Sequence, residues 1–273
     1  MKGIIVNGVD MGSGVEVLVS AMTQEPEKLI KRMNLKTDAV IVNQIDRYGS
    51  EEITQGENRI RLFHCAERGV GRSRNTAWMR AEGDILLFSD EDIVYDDGYE
   101  KIILDAFSRL PAADGILFNL EVCKERRTYY NTDTHRVRWY NSARYPTYAL
   151  AIRRDVLLRS NVSFSLLFGG GAPYSNGEDS LFFLALLKKH VRLYAVPDKI
   201  GREEAVGEST WFHGYTKKFF FDRGVLFHFL YGPFAWLFGI RFILTKKSFM
   251  CKEIPAKQAW NLLKDGIRKG RDA

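Results

Sequence analysis

Two groups of acidic residues in this chain have the types and positions that chemistry needs. The first is Asp90-Glu91-Asp92, which comes directly after the apolar run 85–88. A buried strand that ends in acids carries negative charge to the carboxyl edge of a sheet, where like charges repel unless a cation lies between them. Oxygen ligands of this kind suit Mg²⁺ or Mn²⁺. The pattern predicts a site for a metal-bound diphosphate, and the alternative is an acidic turn that only faces solvent.

The second group is Glu178-Asp179, which follows the glycine-rich stretch 168–177 and begins an apolar helical segment. A carboxylate at the start of a helix, beside a flexible loop, can reach a bound hydroxyl and take its proton. The same two acids would also stabilise the amino end of the helix through its dipole. Judged from the residues alone, this helix-stabilising role is the favoured interpretation.

Composition limits the classes of function. The chain has 273 residues, enough for a full core in one large or two small domains, and its net charge of +6 attracts polyanions such as nucleotides or anionic lipid. Zinc spacing, a P-loop and an RNA-recognition signature are all missing from the sequence, so nucleic acid is not an expected partner. Cys65, Cys123 and Cys251 have no CxxC spacing, which favours a reducing compartment, and we expect no secretory signal.

The acidic groups are placed by alternating strand-like and helix-like runs. Such alternation predicts an α/β fold with a mainly parallel sheet, in which ligands bind at the carboxyl ends of the strands. Asp90 to Asp92 fall at one of these ends. The predicted strands are 16–20, 39–42, 60–63, 85–88, 115–120, 134–141 and 191–197; the predicted helices are 26–33, 72–81, 97–110 and 178–189, and 147–158 is predicted as a strand running into a short helix.

The segment 225–244 is mostly apolar and aromatic, with a length close to that of a bilayer span. Gly232-Pro233 and Arg241 interrupt it, so a bent pair of helices is expected rather than one transmembrane helix. Such a pair could lie in a membrane interface with Trp236 and Tyr231 at headgroup depth and flanking lysines on anionic lipid. The alternative is a helix pair packed on the domain core or in a dimer interface.

Taken together and in order, these features resemble the family 2-like glycosyltransferases of GT-A fold. The resemblance is carried by Val19-Ser20 at the end of an early strand and by three segments, GVGRSRNTAWMRAEGD (69–84), SDED (89–92) and NGEDSLF (176–182). It implies a Rossmann-like, mainly parallel mixed sheet flanked by helices. We therefore expect a nucleotide-sugar-binding and catalytic domain at 1–210, followed by a helical hydrophobic and basic extension at 211–273.

The resemblance also assigns roles around the acidic motif. Asp92 is the expected direct metal ligand, and Asp90 is expected to contact the ribose or complete the metal shell. Glu91 lies between them on an extended backbone and should point the other way. His213 is the candidate third ligand, since neutral imidazole suits Mn²⁺, unless it is a structural histidine. A divalent cation, Mn²⁺ or Mg²⁺, would neutralise the leaving diphosphate as a Lewis acid.

The donor-binding candidates come from the neighbouring strand ends. Arg74 is expected to pair with the diphosphate or the base edge, or to form a salt bridge with the acidic cluster. Family members usually read the base with an acid after the second strand, where this chain has Asn43-Gln44 and then Asp46, so uridine is expected only because it dominates the family. The full set of donor-site candidates is Ser20, Ala21, Asn43, Gln44, Asp46, Arg74, Asp90 and Glu91.

By the same resemblance, Asp179 is the catalytic base, and Glu178 supports it or binds the acceptor. One base without a separate nucleophile implies inversion at the anomeric carbon. The expected function is transfer of a hexosyl or N-acetylhexosaminyl group from a nucleoside-diphosphate donor, a UDP-sugar, to a hydroxyl of a lipid-linked glycan in bacterial surface-polysaccharide synthesis. The expected location is cytoplasmic and peripheral on the inner face of the cell membrane.

Two other functions stay open at this point. A nucleotidyltransferase also binds metal with acids on an α/β sheet, although the segment SAMTQEPEK (20–28) lacks the glycine-rich, basic loop expected after its first strand. A degenerate, non-catalytic transferase that only binds a nucleotide-sugar or another subunit is the second. The oligomeric state is not predicted by the sequence.

Overall fold

The computed structural model describes residues 5–6, 9–10, 14–123, 127–204 and 214–272. His213 therefore lies outside the described residues. The strands are β1 Ile5–Val6, β2 Val9–Asp10, β3 Val15–Ala21, β4 Asp38–Gln44, β5 Gly49–Gln55, β6 Asn58–Cys65, β7 Ile85–Asp90, β8 Ile93–Tyr95, β9 Gly115–Glu121, β10 His135–Arg136, β11 Leu150–Arg153 and β12 Leu193–Glu203. The helices are α1 Pro26–Arg32, α2 Val70–Met79, α3 Tyr99–Arg109, α4 Arg154–Ser160, α5 Glu178–Lys188, α6 Lys217–Tyr231, α7 Ala235–Met250 and α8 Ala256–Arg271.

The main sheet has the strand order β10-β12-β9-β11-β7-β3-β4-β6-β5, and β8 pairs with β12 at its side. Its centre is parallel, because β3 pairs in parallel with both β4 and β7, and β4 with β6. Val17, Val19 and Ile41 are fully buried there. Central parallel strands are covered on both faces, which explains their continuous apolar runs. The α/β fold with a mainly parallel mixed sheet flanked by helices is confirmed.

Several strands differ from the sequence prediction, and three of them are instructive. β5 was not predicted, because its residues are mostly exposed and carry little apolar pattern. The strand predicted at 134–141 is reduced to β10, and the chain turns at Trp139 and Tyr140. β12 continues past Pro197 to Glu203 across a register shift, the kind of irregularity at which a strand tolerates proline.

The C-terminal helices form an apolar core of their own. Gly232-Pro233 breaks the apolar segment into α6 and α7, as predicted, with a short 3₁₀ turn at Gly232–Phe234 between them. The core of this unit contains Phe220, Ile243 and Leu263. A separate cluster of Phe168, Val225 and Leu226 joins α6 to the loop before α5. The helical unit is thus attached to the sheet-containing part of the chain close to Glu178-Asp179.

Helices α6 and α8 meet backbone to backbone. A Cβ atom added to Gly266 would lie 2.0 Å from the carbonyl oxygen of Phe221, and one added to Gly224 would lie 2.1 Å from that of Leu263. Both distances are far inside van der Waals contact, and in each case the obstacle is a backbone atom. Only glycine permits this crossing.

Gly266→Ala is expected to destabilise the protein by about 1–3 kcal/mol, because the added methyl group forces the two backbones apart. The sign of the change in unfolding free energy is diagnostic, because helix propensity alone would make a glycine-to-alanine substitution stabilising by about 1 kcal/mol. Urea unfolding measures the difference. Asn261→Ala, at an exposed position of the same helix, is the control and should change stability little. A stabilised Gly266→Ala variant would contradict the close crossing.

Candidate active site

The carboxyl ends of β3 and β7 place the first candidates side by side. Ser20 lies opposite Asp90 in the parallel register of these strands, and Asp90 is the last residue of β7. The Ser20 hydroxyl oxygen is buried and has no hydrogen-bond partner among the described residues. A buried polar atom without a partner at the ligand-binding edge of a sheet is suited to meet a bound molecule.

Arg74, on α2, connects the two acidic groups. Its Nη2 lies 3.0 Å from Asp90 Oδ1, and its Nη1 lies 2.8 Å from Asp179 Oδ1 and 3.8 Å from Glu178 Oε1. The Arg74 side chain is only 4% exposed. Burial lowers the pKa of Arg74, but the carboxylates of Asp90, Asp179 and Glu178 outweigh it, so that the pKa is raised above its ordinary value. A permanently charged guanidinium thus lies between the acidic motif and the predicted base.

Asp179 and Glu178 differ in their surroundings at the start of α5. Asp179 Oδ1 accepts hydrogen bonds from Arg74 Nη1 and from the Thr147 hydroxyl. Glu178 Oε2 accepts one from the Gly177 amide at 3.0 Å. Burial, and then the charge of Asp179, raise the pKa of Glu178 above its ordinary value, while Arg74 opposes them. Asp179 is therefore the better oriented carboxylate, and Glu178 is the more desolvated one.

Gly169 lets the glycine-rich loop lie against Glu178. Its φ is +108°, and a Cβ added there would lie 2.9 Å from Glu178 Cδ. Thr147 was missed by the sequence analysis, because a single threonine in the segment YPTYA (145–149) carries no signal of its own. Only the fold shows that its hydroxyl orients Asp179.

Asn43 and Gln44 brace loops in this structure. The Asn43 side chain donates to the Thr23 carbonyl and accepts from the Thr23 amide, both at 2.9 Å. Gln44 Oε1 accepts from the Gly69 amide at 2.7 Å, which fixes the start of α2. Both amide groups therefore shape the edge where the nucleoside is expected, and Ala21 is buried beside them at the end of β3.

Asp46 and Glu91 have partners other than Arg74. The Asp46 side chain is 93% exposed and pairs with Arg68 at 2.7 Å, so the structure does not bring Asp46 to this centre. The Glu91 carboxylate accepts from the Met22 amide at 3.2 Å. Glu91 therefore supports the loop after β3, and its direction relative to Asp90 stays a prediction.

Asp92 lies in the turn after β7, and its backbone carbonyl accepts a hydrogen bond of 2.7 Å from the Glu204 amide. Glu204, the residue just before 205–213, therefore contacts Asp92. Within the described ranges, no group of three or more His, Cys, Asp or Glu side chains could hold a metal ion. Mg²⁺ is commonly bound by one or two carboxylates together with substrate phosphates. A cation held by Asp90 and Asp92 together with a substrate diphosphate stays a prediction.

A cavity of about 600 Å³ lies elsewhere, between α2 and the β5–β6 pair, and is lined by Arg72, Thr76 and Arg80 among other residues. Arg74, Asp90 and Asp179 do not line it. Gln44, at the edge where the nucleoside is expected, also lines this cavity, whereas the acidic centre of Arg74, Asp90 and Asp179 does not.

Residues 23–166 match the family model described as Glycosyl transferase family 2. The chain belongs to this family. The match includes β4, α2 and β7 and therefore Arg74 and the acidic motif, while Glu178 and Asp179 lie beyond its end. No curated protein sequence matches this family 2 glycosyltransferase significantly.

Solved structures of S. aureus TarS share the fold of this glycosyltransferase. The complex of TarS 1-349 with UDP-GlcNAc is matched over 93% of this chain and 81% of that one, with a TM-score of 0.63 and 14% identity. TarS 1-349 is matched over 93% and 80%, with a TM-score of 0.61 and 15% identity. The expected GT-A fold is thereby confirmed, and likeness at this low identity extends to the fold alone.

Proposed function

We propose that this chain is an inverting glycosyltransferase that moves a sugar from a nucleoside-diphosphate donor, a UDP-sugar, to a hydroxyl acceptor. The observation that carries the proposal is the buried Arg74, which joins Asp90 at the donor edge to Asp179 at the acceptor side. In the proposal, Asp90 is the donor-binding carboxylate and Asp179 is the base, and the cation between them is Arg74. A hexosyl or N-acetylhexosaminyl donor is in keeping with the UDP-GlcNAc held by the similarly folded TarS.

In the proposed reaction, Asp179 takes the proton of the acceptor hydroxyl while that oxygen attacks the anomeric carbon. The bond from the anomeric carbon to the diphosphate oxygen breaks, and its electron pair leaves with the nucleoside diphosphate. Because attack and departure occur on opposite faces without a covalent enzyme intermediate, the anomeric configuration inverts. Arg74 and Thr147 hold the Asp179 carboxylate in one orientation for this transfer.

The donor side of the proposal rests on the strand ends. Ser20 and Ala21 border the nucleoside, and the buried Ser20 hydroxyl is available to it. Mn²⁺ or Mg²⁺ held by Asp92 and Asp90, with His213 as the further ligand proposed from sequence, would neutralise charge on the leaving diphosphate.

The proposed acceptor is a lipid-linked glycan of cell-surface polysaccharide synthesis, used at the inner face of the cell membrane. The support for this part is the apolar and basic helical unit packed against the loop before Glu178-Asp179. Because the glycine-rich loop is attached to this apolar and basic unit, the enzyme is suited to an acceptor that is anchored in a lipid surface.

Thermal unfolding in the presence of UDP, GDP, CDP and dTDP, each with and without Mn²⁺, tests the donor site. We expect UDP with Mn²⁺ to raise the midpoint, because a ligand present at 100 times its Kd stabilises the native state by about 2.7 kcal/mol. The shift should vanish in Asp92→Ala and persist in Asp155→Ala, whose carboxylate lies on the exposed surface of α4. Absence of a shift with all four nucleotides, in folded protein, would refute the proposed donor.

A further inference from the structure

Helix α7 presents an apolar stripe to solvent. Trp236 is 51% exposed, Leu237 46%, Ile240 37% and Leu244 62%. Their spacing of three and four residues puts them on one face of the helix. The opposite face is also apolar and is buried in the helical unit, with Gly239 packed against α8. A contiguous exposed stripe of large apolar side chains marks an interaction surface.

The charges around this stripe select the kind of partner. The last turns of α7 carry exposed Lys246 and Lys247, Arg241 borders the stripe, and the helix contains no acidic residue. Trp and Leu on one face with Lys and Arg at its border is the composition of helices that lie in the surface of anionic membranes. In a symmetric contact between two copies, each subunit would present the same patch, so these basic residues would oppose one another without acids to pair with.

The packing of α6 favours contact with the membrane surface over a transmembrane span. The helical stretch Lys217–Met250 is long and apolar enough to cross a membrane by length and composition, but α6 supplies half of it and is engaged elsewhere. Val225 and Leu226 are fully buried, and buried Asp222 accepts from the Ser175 amide at 2.9 Å. Of these two helices, α7 is the one that has a stripe of large apolar side chains exposed along it.

The helical unit also holds the glycine-rich loop that precedes Glu178-Asp179. Leu166 and Leu167, just before the glycine-rich loop, are 53% and 43% exposed. The next residue, Phe168, is buried and contacts Phe229 of α6, with ring centroids 5.6 Å apart. Gly169 then lies against Glu178. A surface bound by α7 is thereby connected to the acidic centre through α6 and a single loop.

We propose that α7 lies in the surface of an anionic lipid bilayer, with the stripe of Trp236, Leu237, Ile240 and Leu244 among the upper acyl chains and its basic residues on the headgroups. This contact holds the glycine-rich loop next to the membrane that carries the acceptor, a role that rests on the proposed function. The lipid contact itself requires no nucleotide and no turnover, so it can be tested separately.

The test is co-sedimentation of the full chain with vesicles of phosphatidylcholine alone and of phosphatidylcholine mixed with phosphatidylglycerol. We expect binding to the anionic vesicles that weakens with salt. The double variant Trp236→Glu/Ile240→Glu should lose at least about tenfold in vesicle affinity, because it puts charge into the stripe that would enter the acyl chains. The matched control is Trp139→Glu/Tyr140→Glu, which changes an aromatic pair that is 62% and 69% exposed in another part of the fold.

Circular dichroism of both double variants checks that each is folded, and the UDP-dependent thermal shift reports the donor site independently of lipid. Equal vesicle affinity of the Trp236→Glu/Ile240→Glu variant and the unchanged chain would overturn the proposal, as would equal binding to neutral and anionic vesicles. Absence of vesicle binding would also overturn it. A dimer in sedimentation velocity that the α7 variant abolishes would then identify a second copy as the occupant of this face.

Discussion

Asp179→Asn is expected to lower kcat by between about 10²- and 10⁴-fold, the usual contribution of a positioned general base. Asparagine has nearly the same shape and keeps Oδ1, which accepts the hydrogen bonds of Arg74 and Thr147, but its amide cannot take a proton from the acceptor. Initial rates of UDP release at saturating donor and acceptor measure the loss. Donor binding, followed by the UDP-dependent shift in unfolding midpoint, should be retained.

Asp155→Asn is the matched control, because this carboxylate is exposed on α4 and pairs only with Arg159 there, 2.6 Å away. It should turn over at the rate of the unchanged chain. Asp179→Asn with an unchanged kcat would show that Asp179 is not the base. In that case Glu178→Gln, at the more desolvated carboxylate of the pair, is the next variant to measure.

Arg74→Leu is expected to destabilise the protein by about 3–5 kcal/mol, the cost of leaving a buried carboxylate without its partner. Three carboxylates lose their cation at once, since Asp90, Asp179 and Glu178 all lie within 4.0 Å of the guanidinium. Burial already raises the pKa of Glu178, and Arg74 is the charge that opposes this rise. Urea unfolding gives the free energy of unfolding for both proteins.

The destabilisation by Arg74→Leu should depend on pH with a definite sign. Without Arg74, the folded pKa of Glu178 rises further above its unfolded value. A carboxylate of this kind destabilises the folded state fully above its folded pKa and not at all below its unfolded pKa. The difference in unfolding free energy should therefore be larger at about pH 8 than at about pH 5.

Arg72→Leu, two residues earlier on α2, is the control for Arg74→Leu. Arg72 is 51% exposed and lies 3.5 Å from Glu67, so its loss should change stability by less than about 0.5 kcal/mol at either pH. An Arg74→Leu protein as stable as the Arg72→Leu protein at both pH values would contradict the role of Arg74 as the charge partner of the centre.

The sequence predicted the parallel strands and the position of the acidic motif because each is a local pattern: a continuous apolar run followed by acids. The sequence did not show which residues pair with Arg74, because Asp90 and Asp179 lie 16 and 105 positions away along the chain. The Asn43 amide was a candidate for reading the base, yet only the fold of the loop after β3 shows that Thr23 is its partner. Helix α8 lies in the predicted helical extension at 211–273, but its bounds were not predicted, because Gly266 and Gly270 lower its intrinsic propensity and packing on α6 compensates for them.

The close contact between α6 and α8 also sets an order of events during synthesis. Chains are made from the amino end at about 5–20 residues per second, so Gly224 emerges seconds before Gly266, the residue against which it packs. In that interval α6 and α7 exist without their third helix. The catalytic half, whose strands all precede α6, can already be folded by then. An apolar helix pair, α6 and α7, is therefore expected to stay uncovered on the nascent chain until α8 packs over it.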